Sequence, residues 1–341
     1  MTGARRDMIA ALEGERPARI PFAVYSDFLN ADPAWERLFA LGLGLTQWTA
    51  STRLTQTDIE RVVEPATWQG APAERTTLRT PLGEVTQLVA RGWVQEYWLK
   101  TPADYRVMEY VVRHTRVEPA YDELRETEKQ LGERGIAMIW AGRSPMQTIL
   151  VDYAGLEAFS YHLSDGFPEL FALAEALLDL LVENCRLIAA GPGRYVSLLE
   201  NLSAETWGPR RFARYHLPVY ERILPILHAG GKSVHAHFDG KLACIATLLG
   251  QTEIDGLESL TQPPEGDLTY AEARLLWPEK VFWGNVNVSL YSLPPDTLAH
   301  TVRAMARQAA PDGRRFLLEI SEDLPPNWRA AIPVVLDTLA E

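Results

Sequence analysis

From about residue 137 onward, short apolar runs alternate with longer amphipathic stretches at the spacing of βα units. Two further apolar runs precede this region, so that eight strands are predicted: 19–25, 45–50, 137–141, 195–199, 232–238, 254–259, 280–285 and 314–320. Eight parallel strands with intervening helices close into a barrel. The sequence therefore predicts an α/β fold, a (β/α)8 TIM barrel.

An open, doubly wound sheet is the alternative arrangement of alternating strands and helices. It leads us to expect a glycine-rich phosphate-binding turn after the first strand. The chain instead continues from Tyr25 as Ser26-Asp27-Phe28-Leu29, without glycine. The closed barrel is the better prediction.

Residues 59–100 follow a different pattern, because short alternating stretches are separated there by turn residues such as Gly70, Gly83 and Gly92. This pattern is typical of an antiparallel meander. Barrels of about 250 residues commonly form one unit. We therefore predict a single barrel domain over residues 1–341, with an N-terminal antiparallel β insertion at 59–100.

The formal net charge is -12, from 33 Lys and Arg against 45 Asp and Glu. Such a balance repels phosphate backbones and anionic membrane surfaces, so a nucleic-acid or membrane partner is not expected. The first twenty residues lack the apolar core of a signal peptide, and no apolar stretch reaches the length of a membrane span. A cytoplasmic protein is expected. Cys185 and Cys244 lie in amphipathic stretches, which predicts buried thiols.

Functional residues of a barrel concentrate at the C-terminal ends of its strands. Titratable and amide groups at the predicted ends are Arg143, Glu200, Asn201, His237, Asp239, Glu258, Asn285, Asn287, Ser321, Glu322 and Asp323. Several of these have structural alternatives: capping for Glu200 and Asn201, a turn for the two other asparagines, and a surface ion pair for Arg143.

The fifth predicted strand carries the strongest pattern. Alternation puts Ser233, His235, His237 and Asp239 on one face of the strand, opposite three apolar residues. His237 and Asp239 could bind a divalent metal together with Glu322 from the eighth strand. Imidazole and carboxylate ligands suit zinc or another first-row ion.

His235 and Asp239, on either side of His237, have structural interpretations as well. His235 lies deeper in the barrel, where a hydrogen-bonded core histidine is the favoured interpretation. Asp239 could instead cap the helix that starts near Gly240.

Five segments, taken in order, resemble the uroporphyrinogen decarboxylase superfamily, which includes zinc methyltransferases that move methyl groups between corrinoid proteins and thiols. They are RDMIAALEGERPARIP (6–21), YHLPVY (215–220), HFDG (237–240), GN (284–285) and SEDLPP (321–326). The resemblance spans nearly the whole chain and implies a (β/α)8 barrel.

The chain departs from both branches of that superfamily. True uroporphyrinogen decarboxylases carry an arginine-rich stretch after the first strand, whereas this chain has no arginine there before Arg37. The methyltransferase branch holds zinc with a His-x-Cys pair and a later cysteine. Here His237 is kept, and Asp239 and Glu322 replace the cysteines.

The resemblance therefore implies a metal-assisted transferase, in which a small methylated compound is demethylated through a corrinoid partner protein. His237, Asp239 and Glu322 are expected to bind the metal, which we expect to be zinc. Glu200, Asp239 and Glu258 are the candidate catalytic groups, and the candidate substrate-binding residues are Arg143, Asn201, Asn285 and Asn287. The alternatives are a cofactor-free decarboxylase and a non-catalytic binding barrel.

Overall fold

The computed structural model describes residues 3–238, 240–320 and 323–340. The chain divides into two compact units. The barrel unit comprises residues 1–51, 120–142 and 188–341, and the second unit comprises residues 52–119 and 143–187.

The described strands are, in chain order, β1 (Phe22–Tyr25), β2 (Gly44–Thr49), β3 (Thr52–Gln56), β4 (Glu60–Trp68), β5 (Ala71–Thr80), β6 (Gly83–Ala90), β7 (Trp93–Glu96), β8 (Thr115–Pro119), β9 (Gly135–Gly142), β10 (Tyr195–Leu198), β11 (Ser233–His237), β12 (Gly256–Leu260), β13 (Val281–Val286) and β14 (Phe316–Ile320). The helices are α1 (Ala4–Leu12), α2 (Ala34–Leu41), α3 (Pro102–Arg113), α4 (Tyr121–Leu131), α5 (Pro145–Thr148), α6 (Leu156–Asp165), α7 (Pro168–Ala190), α8 (Ala204–Tyr215), α9 (Leu217–Ala229), α10 (Ala246–Gly250), α11 (Tyr270–Leu276), α12 (Pro295–Ala309) and α13 (Trp328–Leu339).

Eight of these strands close a parallel barrel in the order β1-β14-β13-β12-β11-β10-β9-β2. Each of the eight predicted strands corresponds to one of them, so the predicted (β/α)8 barrel is confirmed. The largest difference is at β1, which begins at Phe22 rather than at residue 19. Pro21 lies directly before it and has no backbone N–H to donate to a strand neighbour.

The inward face of the barrel strands is identified by one apolar cluster. It joins Ala23 of β1, Met138 of β9 and Trp283 of β13 with Met8 and Leu12 of α1. Strands that are not neighbours in a closed barrel meet through its interior, so these side chains point inward. Because side chains alternate along a strand, the residues two positions further on also face the interior, nearer the C-terminal ends.

In the second unit, β4 to β7 form a four-stranded antiparallel sheet, which confirms the predicted meander. A separate antiparallel pair, β3 with β8, was not predicted. Both of its strands are five residues long and none of their residues is buried. They therefore lack the alternation of buried and exposed residues by which a strand is recognised in sequence.

The two cysteines differ in their surroundings. Cys185 is fully buried, as predicted, and burial raises the pKa of its thiol to about 12. The prediction of a buried thiol is wrong for Cys244, which is exposed. It lies in a short 3-10 turn, Ala243–Ile245, and not inside an amphipathic helix. Among the described residues, no helix combines the length and the apolar character needed to span a membrane.

Candidate active site

The barrel interior near the C-terminal strand ends has a polar half and an aromatic half. Five consecutive barrel strands supply the polar half: Ser197 of β10, His237 of β11, Glu258 of β12, Asn285 of β13 and Glu319 of β14. The other three, which are also consecutive, supply the aromatic half: Tyr25 of β1, Trp48 of β2 and Trp140 of β9. We refer to these eight residues as the mouth of the barrel.

Glu319 is an acid at the mouth whose side chain is fully buried. Thr46 Oγ1 donates to its Oε1 at 2.6 Å, and the Tyr25 hydroxyl donates to its Oε2 at 3.2 Å. The backbone register places Glu319 beside Asn285 of β13. Neighbouring strands on both sides therefore fix the position of this carboxyl group.

Glu258 is the second fully buried acid of the mouth. Ser197 Oγ donates to its Oε2 at 2.9 Å, and His237 Nδ1 lies 3.8 Å from the same oxygen. Its other oxygen, Oε1, is buried and has no hydrogen-bond partner among the described residues. An unsatisfied buried carboxylate oxygen costs free energy, so this atom is suited to accept a hydrogen bond from a ligand.

The environment raises the pKa of Glu319 from 4.5 to about 8. Burial is the largest cause, and the negative charge of Glu258 is the second. Hydrogen bonds from Thr46 and Tyr25 act in the opposite direction but do not cancel the effect. Glu319 is therefore mainly a neutral carboxylic acid at pH 7, able to donate a proton beside a second carboxyl group.

This raised pKa predicts a pH dependence of stability. Between about pH 4.5 and 8 the folded protein keeps the Glu319 proton that the unfolded chain releases. The stability from this group is complete below that range and is lost as the pH rises through about 8. We expect the free energy of unfolding to fall by about 2 to 3 kcal/mol between about pH 6 and 9 from this cause.

The Glu319→Gln variant should lack that part of the pH dependence, because glutamine does not titrate. Urea unfolding of both proteins at the two pH values measures the difference. An equal change in the two proteins would contradict the raised pKa.

His235 lies one step deeper in the barrel and is a hydrogen-bonded core residue, as its structural interpretation predicted. Its Nδ1 accepts from Trp283 Nε1 at 3.1 Å, and its Nε2 lies 3.0 Å from Ser233 Oγ. Burial lowers the pKa of His235 to about 4, so the ring is neutral at pH 7. Both ring nitrogens are engaged within the protein.

Of the predicted substrate-binding residues, Asn285 lies at the mouth. Its Nδ2 donates to Ser259 Oγ at 2.8 Å, while its buried Oδ1 has no hydrogen-bond partner among the described residues. Asn287 lies beyond β13, where its Oδ1 caps a 3-10 turn by accepting from the Ser289 backbone N–H at 2.9 Å. Only the first of these two asparagines presents its amide to the interior.

The two predicted residues after β10 point in different directions. Glu200 is fully buried, and Tyr220 of α9 donates to its Oε1 at 3.1 Å. Asn201 is exposed, and its backbone N–H donates to the His237 carbonyl at 3.0 Å. Asn201 has a φ of 47° and Ser259, directly after Glu258, has a φ of 63°. Non-glycine residues rarely adopt such angles, and they are enriched at functional sites.

Arg143 belongs to the second unit, where its Nη1 lies 3.3 Å from Asp152 Oδ2. Asp239 and Glu322, two of the three predicted metal ligands, lie outside the described residues, as does Ser321. Within the described residues, no three His, Cys, Asp or Glu side chains come together as a metal site would need. His237 and Glu258 are the pair of potential ligands that the described part of the mouth brings together.

Sequence reasoning missed six residues at or beside the mouth: Tyr25, Thr46, Trp48, Trp140, Ser197 and Glu319. It considered mainly residues that follow the strands, whereas these lie within them. A signal was present for Glu319, because it is the one charged residue in the apolar run FLLEI. It also lies two residues after inward-facing Leu317, on the same face of the strand. A buried acid in such a strand needs a polar interior to accommodate it.

Comparison with known proteins agrees with the fold. The sequence profile described as uroporphyrinogen decarboxylase (URO-D) matches residues 92–331, more than half of the chain. The structure is similar to a methyltransferase from Methanosarcina mazei, with a TM-score of 0.57 and 12% identity over 99% of this chain and 98% of that one. It is less similar to a pneumococcal exo-β-D-N-acetylglucosaminidase, with a TM-score of 0.43 and 8% identity over 95% and 84% of the two chains.

The search of curated proteins returned no match. At 12% identity, the methyltransferase likeness concerns the barrel fold alone. The profile match extends from the end of the meander, through α3, β8 and α4, to the last helix of the barrel. On that match, the chain belongs to the uroporphyrinogen decarboxylase family.

Proposed function

We propose that the protein is a methyltransferase that removes a methyl group from a small neutral or cationic methylated compound. Family membership supports an enzyme of the methyl-transfer or decarboxylation type. One observation favours methyl transfer. The eight described barrel strands contain two buried glutamates and neither lysine nor arginine.

A decarboxylase must bind the carboxylate that its substrate loses. In a desolvated site such a group needs a cationic or hydrogen-bonding partner. The nearest arginine to follow a barrel strand, Arg143, is ion-paired with Asp152 in the second unit. The negative charge of Glu258 would repel a substrate carboxylate, so the wall of the mouth suits a ligand without negative charge.

A non-catalytic barrel is less well supported. Burying Glu258 and Glu319 together lowers stability, since each charged form loses its hydration and the two repel each other. Titratable groups kept in such a state are typical of catalytic sites. Their position at the C-terminal strand ends agrees with the location of active sites in barrel enzymes.

In the proposed reaction, the bond between the methyl carbon and its heteroatom breaks, and its electron pair remains on the heteroatom. Neutral Glu319 donates its proton to that heteroatom, which leaves as a neutral alcohol or amine, and Glu319 becomes a carboxylate. The methyl group bonds to a nucleophilic acceptor. Asn285 and Ser197 are the hydrogen-bonding groups beside the two acids that would orient the substrate.

A divalent metal and a corrinoid partner protein, both expected from the family resemblance, remain part of the proposal. His237 would hold the metal together with Asp239 and Glu322, and imidazole with carboxylates is a donor set that zinc accepts. Such an ion would supply Lewis-acid activation. The corrinoid would be the methyl acceptor, and a cytoplasmic location is proposed as well.

The test is a methyl-transfer assay with reduced cobalamin as the acceptor probe. Methyl ethers and methylamines are supplied in one panel, and methylcobalamin is followed by its absorbance. Aromatic and pyrrole carboxylic acids are supplied in a second panel, and released carbon dioxide is measured. We expect methylcobalamin from the first panel only. Release of carbon dioxide without methyl transfer would overturn the proposal in favour of the decarboxylase.

A further inference from the structure

We infer that the mouth binds its methyl donor as a methylated ammonium ion, with N-methyl groups against Tyr25 and Trp48 and the N–H directed at Glu258. This inference rests on the proposed function and names its substrate class. It concerns the heteroatom that carries the methyl group, which family membership leaves open.

The first support is the aromatic half of the mouth. The Tyr25 and Trp48 rings stack with centroids 4.5 Å apart and an interplanar angle of 26°. The Trp48 ring centroid lies 6.4 Å from that of His237, so the aromatic pair borders the polar half directly. Trp140, on the next strand, is 49% exposed and leaves an indole surface open to ligand. Aromatic faces attract ammonium ions, and methylated ammonium ions are a common ligand of aromatic cages.

The second support is independent of the first and comes from Glu258. Its fully buried side chain faces the interior, and Oε1 has no hydrogen-bond partner among the described residues. An N–H group of a bound ammonium would satisfy this oxygen through a charge-assisted hydrogen bond. A methyl ether has no N–H or O–H donor, so binding an ether would leave the same oxygen unsatisfied.

The third support is the charge of the surrounding wall. The eight described barrel strands contain no lysine or arginine, so Glu258 meets no permanent cation there, and His237 Nδ1 approaches its Oε2 only to 3.8 Å. A cationic ligand would compensate this charge, whereas a neutral ligand would leave it buried. Electrostatics therefore favours the ammonium over a neutral molecule of equal shape.

The reaction balances with this substrate. The N–CH3 bond breaks as the methyl carbon bonds to the nucleophilic acceptor, its electron pair stays on nitrogen, and a neutral primary or secondary amine leaves. Nitrogen then needs its proton before the bond breaks, and Glu319 supplies one if the amine enters as the free base. Glu258 acts as the acceptor that orients the N–H and keeps the cation in place.

Calorimetric binding to three soluble probes with the same hydroxyethyl tail tests the inference without requiring turnover. They are N,N-dimethylaminoethanol as its ammonium, choline without an N–H, and neutral 3,3-dimethylbutan-1-ol. We expect the ammonium to bind about tenfold more tightly than the neutral alcohol, with choline between them. Equal affinity for all three would overturn the inference, even if the protein transfers methyl groups from ethers.

Variants separate the two contacts. Glu258→Gln should reduce the preference for the ammonium over the alcohol to about threefold or less, and Trp48→Leu should weaken binding of both cations. Glu13→Gln is the charge-matched control, because Glu13 pairs with Arg194 and lies on the loop after α1. The control should keep the tenfold preference. Thermal unfolding of each variant establishes that it is folded.

Zinc provides the competing explanation for the open Glu258 oxygen. If stoichiometric zinc binds the wild type, is lost in Glu258→Gln and excludes the ammonium probe, the oxygen is a metal ligand and the inference is wrong. If the ammonium preference is present but neither methylamines nor ethers methylate cobalamin, the ammonium site stands and the proposed reaction fails.

Discussion

Replacing Glu319 by glutamine lowers kcat for methyl transfer from a methyl ether, or from a methylamine that enters as the free base, by roughly 100- to 10,000-fold, which is the range that a positioned general acid contributes. The reason is the proton that the neutral carboxyl group holds at pH 7, because burial and the charge of Glu258 raise the pKa of Glu319 to about 8. Glutamine keeps the shape, and its one carbonyl oxygen can accept from Thr46 or from Tyr25, but it has no acidic proton to give. Steady-state kinetics of the two proteins near pH 7 measure this loss.

The pH profile distinguishes a proton donor from a residue that only shapes the site. The wild-type kcat/KM should decline as the pH rises through about 8, since the acid form of the free protein is then lost. Thr46→Val removes a hydrogen bond that lowers the pKa of Glu319, so its decline should move to higher pH. An unchanged kcat in Glu319→Gln, or a Thr46→Val profile that moves to lower pH, would contradict the role.

The barrel could be predicted from sequence because the apolar pattern that produces its strands and helices is local and periodic. Apolar runs such as the one at β13, VFWGNV, are buried on both faces and recur at the spacing of βα units. The pairing of β3 with β8 had no such signal. These two strands are separated by more than fifty residues, and their half-exposed side chains do not show which strand they will meet.

The site was predictable where alternation along one strand was enough. The alternation of polar and apolar residues along β11 placed His235 and His237 on the inward face, and Glu258 was identified at the end of β12. The chemical role of Glu319 depends on contacts between distant strands, which the sequence does not show. Burial and the charge of an acid 61 positions earlier, two strands away in the barrel, raise its pKa, while hydroxyl donors from β1 and β2 act in the opposite direction.

At the opposite end of the barrel, one guanidinium group connects several backbone segments through hydrogen bonds. Arg274 of α11 donates to five backbone carbonyls, and the acceptors lie in the segments that precede β13 and β14: Trp277, Pro278, Lys280, Ala309 and Arg315. Its Cζ lies 3.8 Å from the centroid of the Phe282 ring. The planar fork of arginine is suited to this cluster, since it presents several donors in fixed directions.

Replacing Arg274 by methionine should therefore lower the free energy of unfolding by about 3 to 5 kcal/mol. Methionine fills part of the volume but leaves partly buried carbonyls without donors. Arg274→Lys should recover part of the loss, because one ammonium reaches fewer of the five acceptors. Urea unfolding at neutral pH gives the values.

Arg214→Met is the matched control, since exposed Arg214 contacts the Tyr215 ring with its Cζ 5.2 Å from the centroid. Its loss should stay within about 0.5 kcal/mol. A loss of less than about 1 kcal/mol in Arg274→Met would show that water replaces the guanidinium at little cost. Because the cluster lies at the N-terminal ends of the strands, kcat of the folded Arg274→Met protein should match the wild type, which separates the residues that hold the barrel together from those at its mouth.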